Sequence, residues 1–362
     1  MKDVILFRRR LLDWYAENAR TLSWRGVSDP YLVWVSEIML QQTTTQSVEG
    51  YFNRFITAFP TIQSLAEAEP DSVNRLWEGL GYYRRCSQLH QAAKIIVNQY
   101  GGVFPRDEDI VRKLPGIGRY TANAVLSIAF DRQLPILEAN TQRLYARLTA
   151  LRSSTAEKKA NDALWHFAES LLPKTGSGRF NQALMDLGSL VCTAKNPLCL
   201  SDAVLLGKGS VCPAADFCQT AKLGLQKVIP LQKVRERAIE CSELAVFVNR
   251  RSRTLLVRYP QGVRWAGLWD FPRAAFESAD TAGKKLAAMT GYNILLGEDI
   301  TVLKHSVTKY RITLHFCCGV ITGRKIAAQY ETRWAAADEL QTLPMNSTAR
   351  KLVHLIGSEP LS

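Results

Sequence analysis

The chain has 362 residues, 47% of them hydrophobic and 22% charged, enough for two or three units with cores of their own. No run of about eighteen apolar residues occurs, so no membrane span is expected. The formal net charge of +13 suits a polyanionic partner, nucleic acid or an anionic membrane surface, but does not separate these from a merely basic soluble protein. The N-terminal MKDVILFRRRLLDWY places its arginines after a short apolar run. That order is wrong for a secretory signal, and Asp3 and Asp13 argue against an organellar presequence. A cytoplasmic location is expected.

Residues 1 to about 225 read as helical. Asp29-Pro30 is a cap followed by proline at the first helical position, opening a helix through YLVWVSEIMLQQT. Asp71 can cap DSVNRLWEGL, RRCSQLHQAAKIIVNQY stops at Gly101-Gly102, and DEDIVRKL runs into Pro115-Gly116. A helix RYTANAVLSIAF follows LPGIG, another follows Glu138-Ala139, and ALWHFAESLL and RFNQALMDLGSLVC complete an all-helical body. The polar, basic stretch at 226–237 reads as a linker. From 238 the pattern turns strand-like in ELAVFVNR and RTLLVRY, then helix-like in AGKKLAAMTG and strand-like in SVTKYRITLHFCCGVIT. This is an α+β unit over 238–362.

Four segments carry chemistry. In LPGIGRYTANAV, Gly116 and Gly118 make a tight turn before a helix N-terminus, where backbone N–H groups can meet a phosphate. The plain alternative is an ordinary Pro-Gly turn. Glu37 lies on an apolar stripe with Val33, Trp34 and Leu40. Desolvation there raises its pKa and keeps a proton available, although a boundary glutamate would look the same. Glu138 stands ahead of a helix, where the dipole favours the ionised form. Opposite environments for the two carboxylates would mark an acid and a charge stabiliser. Finally, Cys192, Cys199, Cys212 and Cys218 read C-x6-C-x12-C-x5-C, a metal site in a chain with no export signal. Spacing alone leaves an iron–sulfur cluster and a structural zinc equally open.

In this order, SEIMLQQT (36–43), LWEGLGYYRR (76–85), LPGIGRYTA (114–122), FNQALMDLG (180–188) and GLWDFP (267–272) resemble the MutY-type adenine DNA glycosylases of the endonuclease III superfamily. The resemblance implies a mainly α, helix-hairpin-helix glycosylase body (a six-helix barrel plus an iron–sulfur helical domain) over 1–225, with a C-terminal α+β Nudix-like domain. It implies a monomeric, nucleoid-associated enzyme that hydrolyses the glycosidic bond of adenine opposite 8-oxoguanine, or guanine, in double-stranded DNA. Glu37 matches the general acid and Glu138 the carboxylate that stabilises the sugar cation. Asn140 matches a residue that orients the site, and Tyr120 one that supports it. Trp24, Arg25 and Gln182 match the adenine pocket. Gln42, Thr43, Leu80 and Tyr82 match segments that enter the duplex and hold the opposite base. The four cysteines match the ligands of a [4Fe–4S] cluster.

The sequence departs from the family at three places. Glu138-Ala139 replaces Asp-Gly, moving the carboxylate by one methylene. About ten extra residues, around AVLLGKGS, separate Cys199 from Cys212. The lesion-reading Phe-Ser-His is here Val307-Thr308-Lys309, where Thr308 keeps a hydroxyl and Lys309 suits a phosphate. The helix AGKKLAAMTG lacks the acidic residues of active Nudix hydrolases, so recognition without hydrolysis is expected there. A related mismatch glycosylase with another target, or a lesion-binding protein with little catalysis, are the alternatives.

Overall fold

The computed structural model describes residues 3–200, 211–231, 237–323 and 327–358. The chain divides into two compact units, Met1–Gln63 with Gln91–Val234, and Ser64–His90 with Arg235–Ser362. The division differs from the one read off the sequence, because residues 64–90 pack with the C-terminal residues. Arg350 pairs with Glu78 at 2.7 Å and Arg258 with Asp71 at 2.5 Å. The inserted AVLLGKGS lies outside the described residues.

The first unit is built on the helix Pro30–Leu40, opened as expected by Pro30, with Asp29 accepting from the Tyr31 N–H. It is apolar around most of its circumference and buried from Val33 to Met39, as a central helix must be. It ends three residues before the expected Thr43, since Gln42 takes a left-handed φ of 59°. Against it packs the helix Arg119–Phe130, whose Thr121 to Ser127 are all buried, and the helix Ser177–Asp186 packs on that in turn. Helices Val4–Asn18, Ala139–Leu148 and Lys158–Leu171 close a second core around Phe7, Leu11, Tyr145, Leu164 and Phe180. After Asp186 the backbone widens into a π-helical turn, Leu187–Val191, a local expansion frequent at functional sites.

In the second unit Asp71, expected as a cap, lies instead inside the first turn of the helix Pro70–Trp77. Glu69 is its N-cap residue, because Pro70 takes the first helical position. Strands β1 (Ile239–Phe247), β5 (Arg273–Ala275), β6 (Ile294–Val307) and β7 (Tyr310–Ile321) form one sheet in the order β5-β1-β7-β6, with β1 and β7 parallel. Strands β2 (Asn249–Arg250), β3 (Arg253–Arg258), β4 (Trp269–Asp270) and β8 (Glu331–Ala335) form another around β3. Alternation along β1 sends Ala245 to a core with Trp269, Phe271, Phe316 and Leu352, and Leu244 and Val246 to one with Ala282 and Leu286. The helix Ala279–Thr290 is capped by Ser278.

Two glycines test the packing. A Cβ on Gly178 would lie 2.4 Å from the Ser127 carbonyl oxygen, whereas one on Gly283, inside Ala279–Thr290, would meet nothing within 4 Å. Gly178→Ala should cost about 1–3 kcal/mol through overpacking. Gly283→Ala should stabilise by about 0.5–1 kcal/mol through helix propensity. Urea unfolding of both variants measures the difference.

Candidate active site and cysteine cavity

The first unit contains a cavity of about 720 Å³. Its wall joins Glu37, Tyr120, Glu138 and Asn140 with Trp24, Arg25, Gln182, Gln42 and Thr43, so nine of the residues singled out from the sequence share one space. Glu37 is buried, and its Oε2 accepts from the Tyr120 hydroxyl at 2.6 Å. Burial pushes its carboxyl above the usual carboxylate range. Tyr120 and the Arg25 charge pull against this, and the neighbouring Glu138 adds to it. Burial and the two carboxylates hold the Tyr120 phenol well above its ordinary value, so it remains a donor.

Glu138 is the N-cap of Ala139–Leu148. Its Oε1 accepts from the Thr141 N–H and its Oε2 from the Asn140 N–H, both at 2.8 Å. The Thr141 hydroxyl accepts the Glu138 N–H in return, at 2.9 Å, completing a capping box. The expectation that the two carboxylates have pKa values moved in opposite directions does not hold. Burial pushes Glu138 up as well, against the donation from Asn140 and Thr141 and the charge of Arg143. The cap favours the ionised form as expected, but desolvation outweighs it. Hydrogen bonding separates the two groups instead: both Glu138 oxygens are acceptors from backbone N–H, a role suited to the anion.

Several residues that hold the wall were not apparent in the sequence. Asp186 is fully buried and accepts from Arg20 at 2.6 Å and Arg25 at 2.8 Å. Arg25 also donates to the Tyr15 hydroxyl at 3.2 Å, which donates to Gln182 Oε1 at 3.3 Å. Arg143 donates to Asn140 Oδ1 at 2.9 Å and to the carbonyls of Gly188 at 2.7 Å and Cys192 at 2.8 Å. A carboxylate inside the apolar run ALMDLGSL was the available signal for Asp186, of the same kind as that for Glu37.

Cys192, Cys199, Cys212 and Cys218 line a second, smaller cavity of the same unit. N–H groups reach the sulfurs: Arg147 Nη1 lies 3.3 Å from Cys192 Sγ, Ala214 donates to Cys212, and Ala221 and Thr220 donate to Cys218. Burial pushes the Cys212 thiol up to about 12. Among the described residues, no three Cys, His, Asp or Glu side chains stand close enough together to ligate one metal ion. Thiols ringed by N–H donors are a donor set that fits a group bound through thiolates.

Gly116 has a φ of 77°, which favours glycine, and a Cβ on Gly118 would meet nothing within 4 Å. The turn is therefore open to close approach, immediately before the N-terminus of Arg119–Phe130. The remaining site residues belong to the second unit. Leu80 is 6% exposed and Tyr82 46%, so of the two the tyrosine offers its ring to solvent. Thr308 and Lys309 form the tip between β6 and β7, Thr308 with a φ of 52° and its hydroxyl donating to the Val307 carbonyl at 2.7 Å.

Residues 35–170 match the HhH-GPD superfamily of base excision DNA repair proteins, and residues 244–355 match the NUDIX domain. The chain is 36% identical over 270 residues to an adenine DNA glycosylase of Buchnera aphidicola subsp. Schizaphis graminum, covering 74% of this chain and 75% of that one. It is 33% identical over 328 residues to an adenine DNA glycosylase of Homo sapiens, covering 78% of this chain and 60% of that one. A thermostable thymine-DNA glycosylase of known structure is 27% identical with a TM-score of 0.52, covering 61% of this chain and 98% of that one. No helix of the described residues is long and apolar enough to cross a membrane. Its helical body, its two-carboxylate cavity and these matches agree: the chain belongs to the adenine DNA glycosylase family, enzymes of base excision repair.

Proposed function

We propose that the chain removes adenine lying opposite 8-oxoguanine in double-stranded DNA, by hydrolysis. The observation that carries this reading is the pair of carboxylates facing one cavity, the buried Glu37 bonded to a phenol and the half-buried Glu138 bonded by backbone N–H groups of the helix it caps. Adenine is a poor leaving group as an anion, so the extruded base needs a proton on a ring nitrogen. Tyr120 occupies Oε2 of Glu37, which leaves Oε1 to carry that proton into the cavity. As the bond to the sugar breaks, the Glu138 carboxylate faces the developing cation, and water completes the reaction. Arg143 fixes Asn140, whose Nδ2 lies 3.2 Å from Glu138 Oε2, so the longer carboxylate remains tethered. Tyr120 supplies no amine, which favours hydrolysis over a Schiff base.

Trp24, Arg25 and Gln182 would then hold the adenine, while Gln42 and Thr43, at the same cavity, and Tyr82 would enter the duplex and hold the opposite base. The turn at Gly116 and Gly118, and Lys309, would take phosphates. Thr308 keeps lone pairs that could accept the N7–H which 8-oxoguanine has and guanine lacks. The four cysteines would hold a [4Fe–4S] cluster. Sulfurs arranged around a cavity, with N–H donors directed at them, suit several irons better than one zinc, which draws four thiolates to about 2.3 Å. Such a cluster would supply no step of hydrolysis; bound, it would fix the loop that carries Lys195 and the short helix Gln219–Lys222.

Single-turnover excision from duplexes with adenine opposite 8-oxoguanine, adenine opposite guanine, and thymine opposite guanine tests the function. Adenine should leave fastest opposite 8-oxoguanine. Preferred release of thymine would favour a different mismatch glycosylase, and no release at all a lesion-binding protein.

Glu37→Gln should abolish excision and leave lesion-duplex binding nearly intact; a rate within about tenfold of the parent would refute the acid role. The same variant carries a stability signature. A carboxyl whose pKa is raised on folding lends stability below its unfolded value and loses it as pH rises through the folded one. The thermal midpoint of Glu37→Gln should therefore gain on that of the parent as pH increases, and a constant difference would contradict the raised pKa of Glu37.

Anaerobically purified protein should contain about four iron atoms per chain, with broad visible absorbance. Cys212→Ser should lose both the iron and the absorbance, and one zinc with no iron would overturn the cluster. Thr308→Ala should lower the preference for 8-oxoguanine over guanine several-fold, the worth of one hydrogen bond of about 1 kcal/mol. An unchanged ratio of the two excision rates would remove Thr308 from lesion reading.

A further inference from the structure

The loop Gly79–Tyr82 joins the helix Pro70–Trp77 to the helix Arg84–Tyr100, and three of its four residues are left-handed: Gly79 at 95°, Gly81 at 75° and Tyr82 at 51°. For tyrosine this backbone is disfavoured, so something outside the loop must hold it. Much of that hold comes from residues about 260 positions further along the chain. Glu78, the residue before the loop, receives a two-pronged bond from Arg350: Nε to Oε1 at 2.7 Å and Nη2 to Oε2 at 3.1 Å. Oε2 also accepts from Arg75 at 2.7 Å and from the Met345 N–H at 3.3 Å. On the other side of the loop, the Tyr83 hydroxyl donates to the Met345 carbonyl at 3.3 Å and accepts the Gly79 N–H at 3.2 Å.

Arg350 is itself immobilised, donating to the carbonyls of Leu340 at 2.6 Å and Leu343 at 2.7 Å. Its side chain and that of Glu78 are only 13% and 11% exposed, so the pair is far stronger than a solvated surface bridge. Burial raises the Glu78 carboxyl, but Arg350 and Arg75 outweigh it and hold the group below its ordinary range. Within the loop, Trp77 Nε1 and Arg85 Nη2 both donate to the Gly81 carbonyl, at 3.1 and 3.2 Å, and the Arg85 guanidinium lies over the Tyr82 ring.

We propose that Arg350 is a positioning residue for duplex entry: by clamping Glu78 it sets the Gly79–Tyr82 loop so that the Tyr82 ring is presented to DNA. The inference rests on the duplex-entry role proposed above for Tyr82. It makes the last described helix, Ser347–Ser358, part of the machinery that opens the duplex, in addition to any reading of the opposite base at Thr308.

The test uses the full chain and a duplex with 2-aminopurine beside the mismatch, whose fluorescence rises when stacking is disturbed. Arg350→Met, Glu78→Gln and the double variant should each reduce that rise and the single-turnover excision rate by about tenfold, with no further loss in the double, as expected for two ends of one clamp. Arg350→Lys should recover part of both. Thermal midpoints should fall, because a nearly buried pair is broken, so rates are compared at a temperature where every variant is folded; affinity for undamaged duplex should change little. Should Arg350→Met fail to fold, Glu78→Gln carries the test, because it leaves Arg350 on its two carbonyls.

Parental fluorescence and rate in Glu78→Gln would overturn the clamp, as would losses that only track a reduced folded fraction. A parent protein that raises the fluorescence but excises nothing would refute the glycosylase reading and leave the clamp standing. A parent that gives no rise would overturn the clamp itself.

Discussion

The catalytic unit depends on burying carboxylates that it cannot leave unpaired. Asp186, fully buried at the end of the helix Ser177–Asp186, holds two guanidiniums, Arg20 and Arg25. Removing one member of such a set strands a charge away from water, at a cost of about 3–5 kcal/mol. The set therefore locks the N-terminal loop to that helix. Arg25 then reaches Tyr15, and Tyr15 reaches Gln182. One wall of the cavity is thus a chain of polar contacts that begins at a single acid.

The opposite wall works by a different economy of polar groups. Glu138 takes the first N–H groups of its helix, donors that would otherwise be unsatisfied. The same helix carries Arg143 and Arg147 one turn apart. Arg143 ties Asn140 to the Gly188 and Cys192 carbonyls, and Arg147 bonds the Cys192 sulfur and the Thr193 carbonyl. The π-helical turn and Gly188 make this possible: a Cβ on Gly188 would stand 2.9 Å from the Asn140 carbonyl oxygen. The wide turn, the glycine and the arginine act as one joint between the cavity and the cysteines.

The second unit shows the same economy in a sheet. Both faces of β1 are covered, so β1 has no solvated face except near its start. The buried Asp270 is tied to Arg273 and to Asn346. The acidic residues near the helix Ala279–Thr290 are engaged with lysines, Asp280 with Lys284 and Glu277 with Lys285. Residues 244–355 match the NUDIX domain, and within that span AGKKLAAMTG holds no carboxylate.

The sequence by itself determined what depends on near neighbours along the chain. The proline-started helix at Pro30, the cap at Glu138, the apolar stripe that buries Glu37 and the strand alternation after 238 all follow from hydrogen bonds and side-chain spacings of two to four residues. Tertiary structure decided what depends on which elements meet. Asp186 finds arginines 166 and 161 positions away, and residues 64–90 join the C-terminal unit because Glu78 and Asp71 meet arginines there. The pKa direction of Glu138 was decided there too. A helix start favours its anion, but the depth of burial that outweighs this comes from the helices packed around it, and no local pattern encodes that depth.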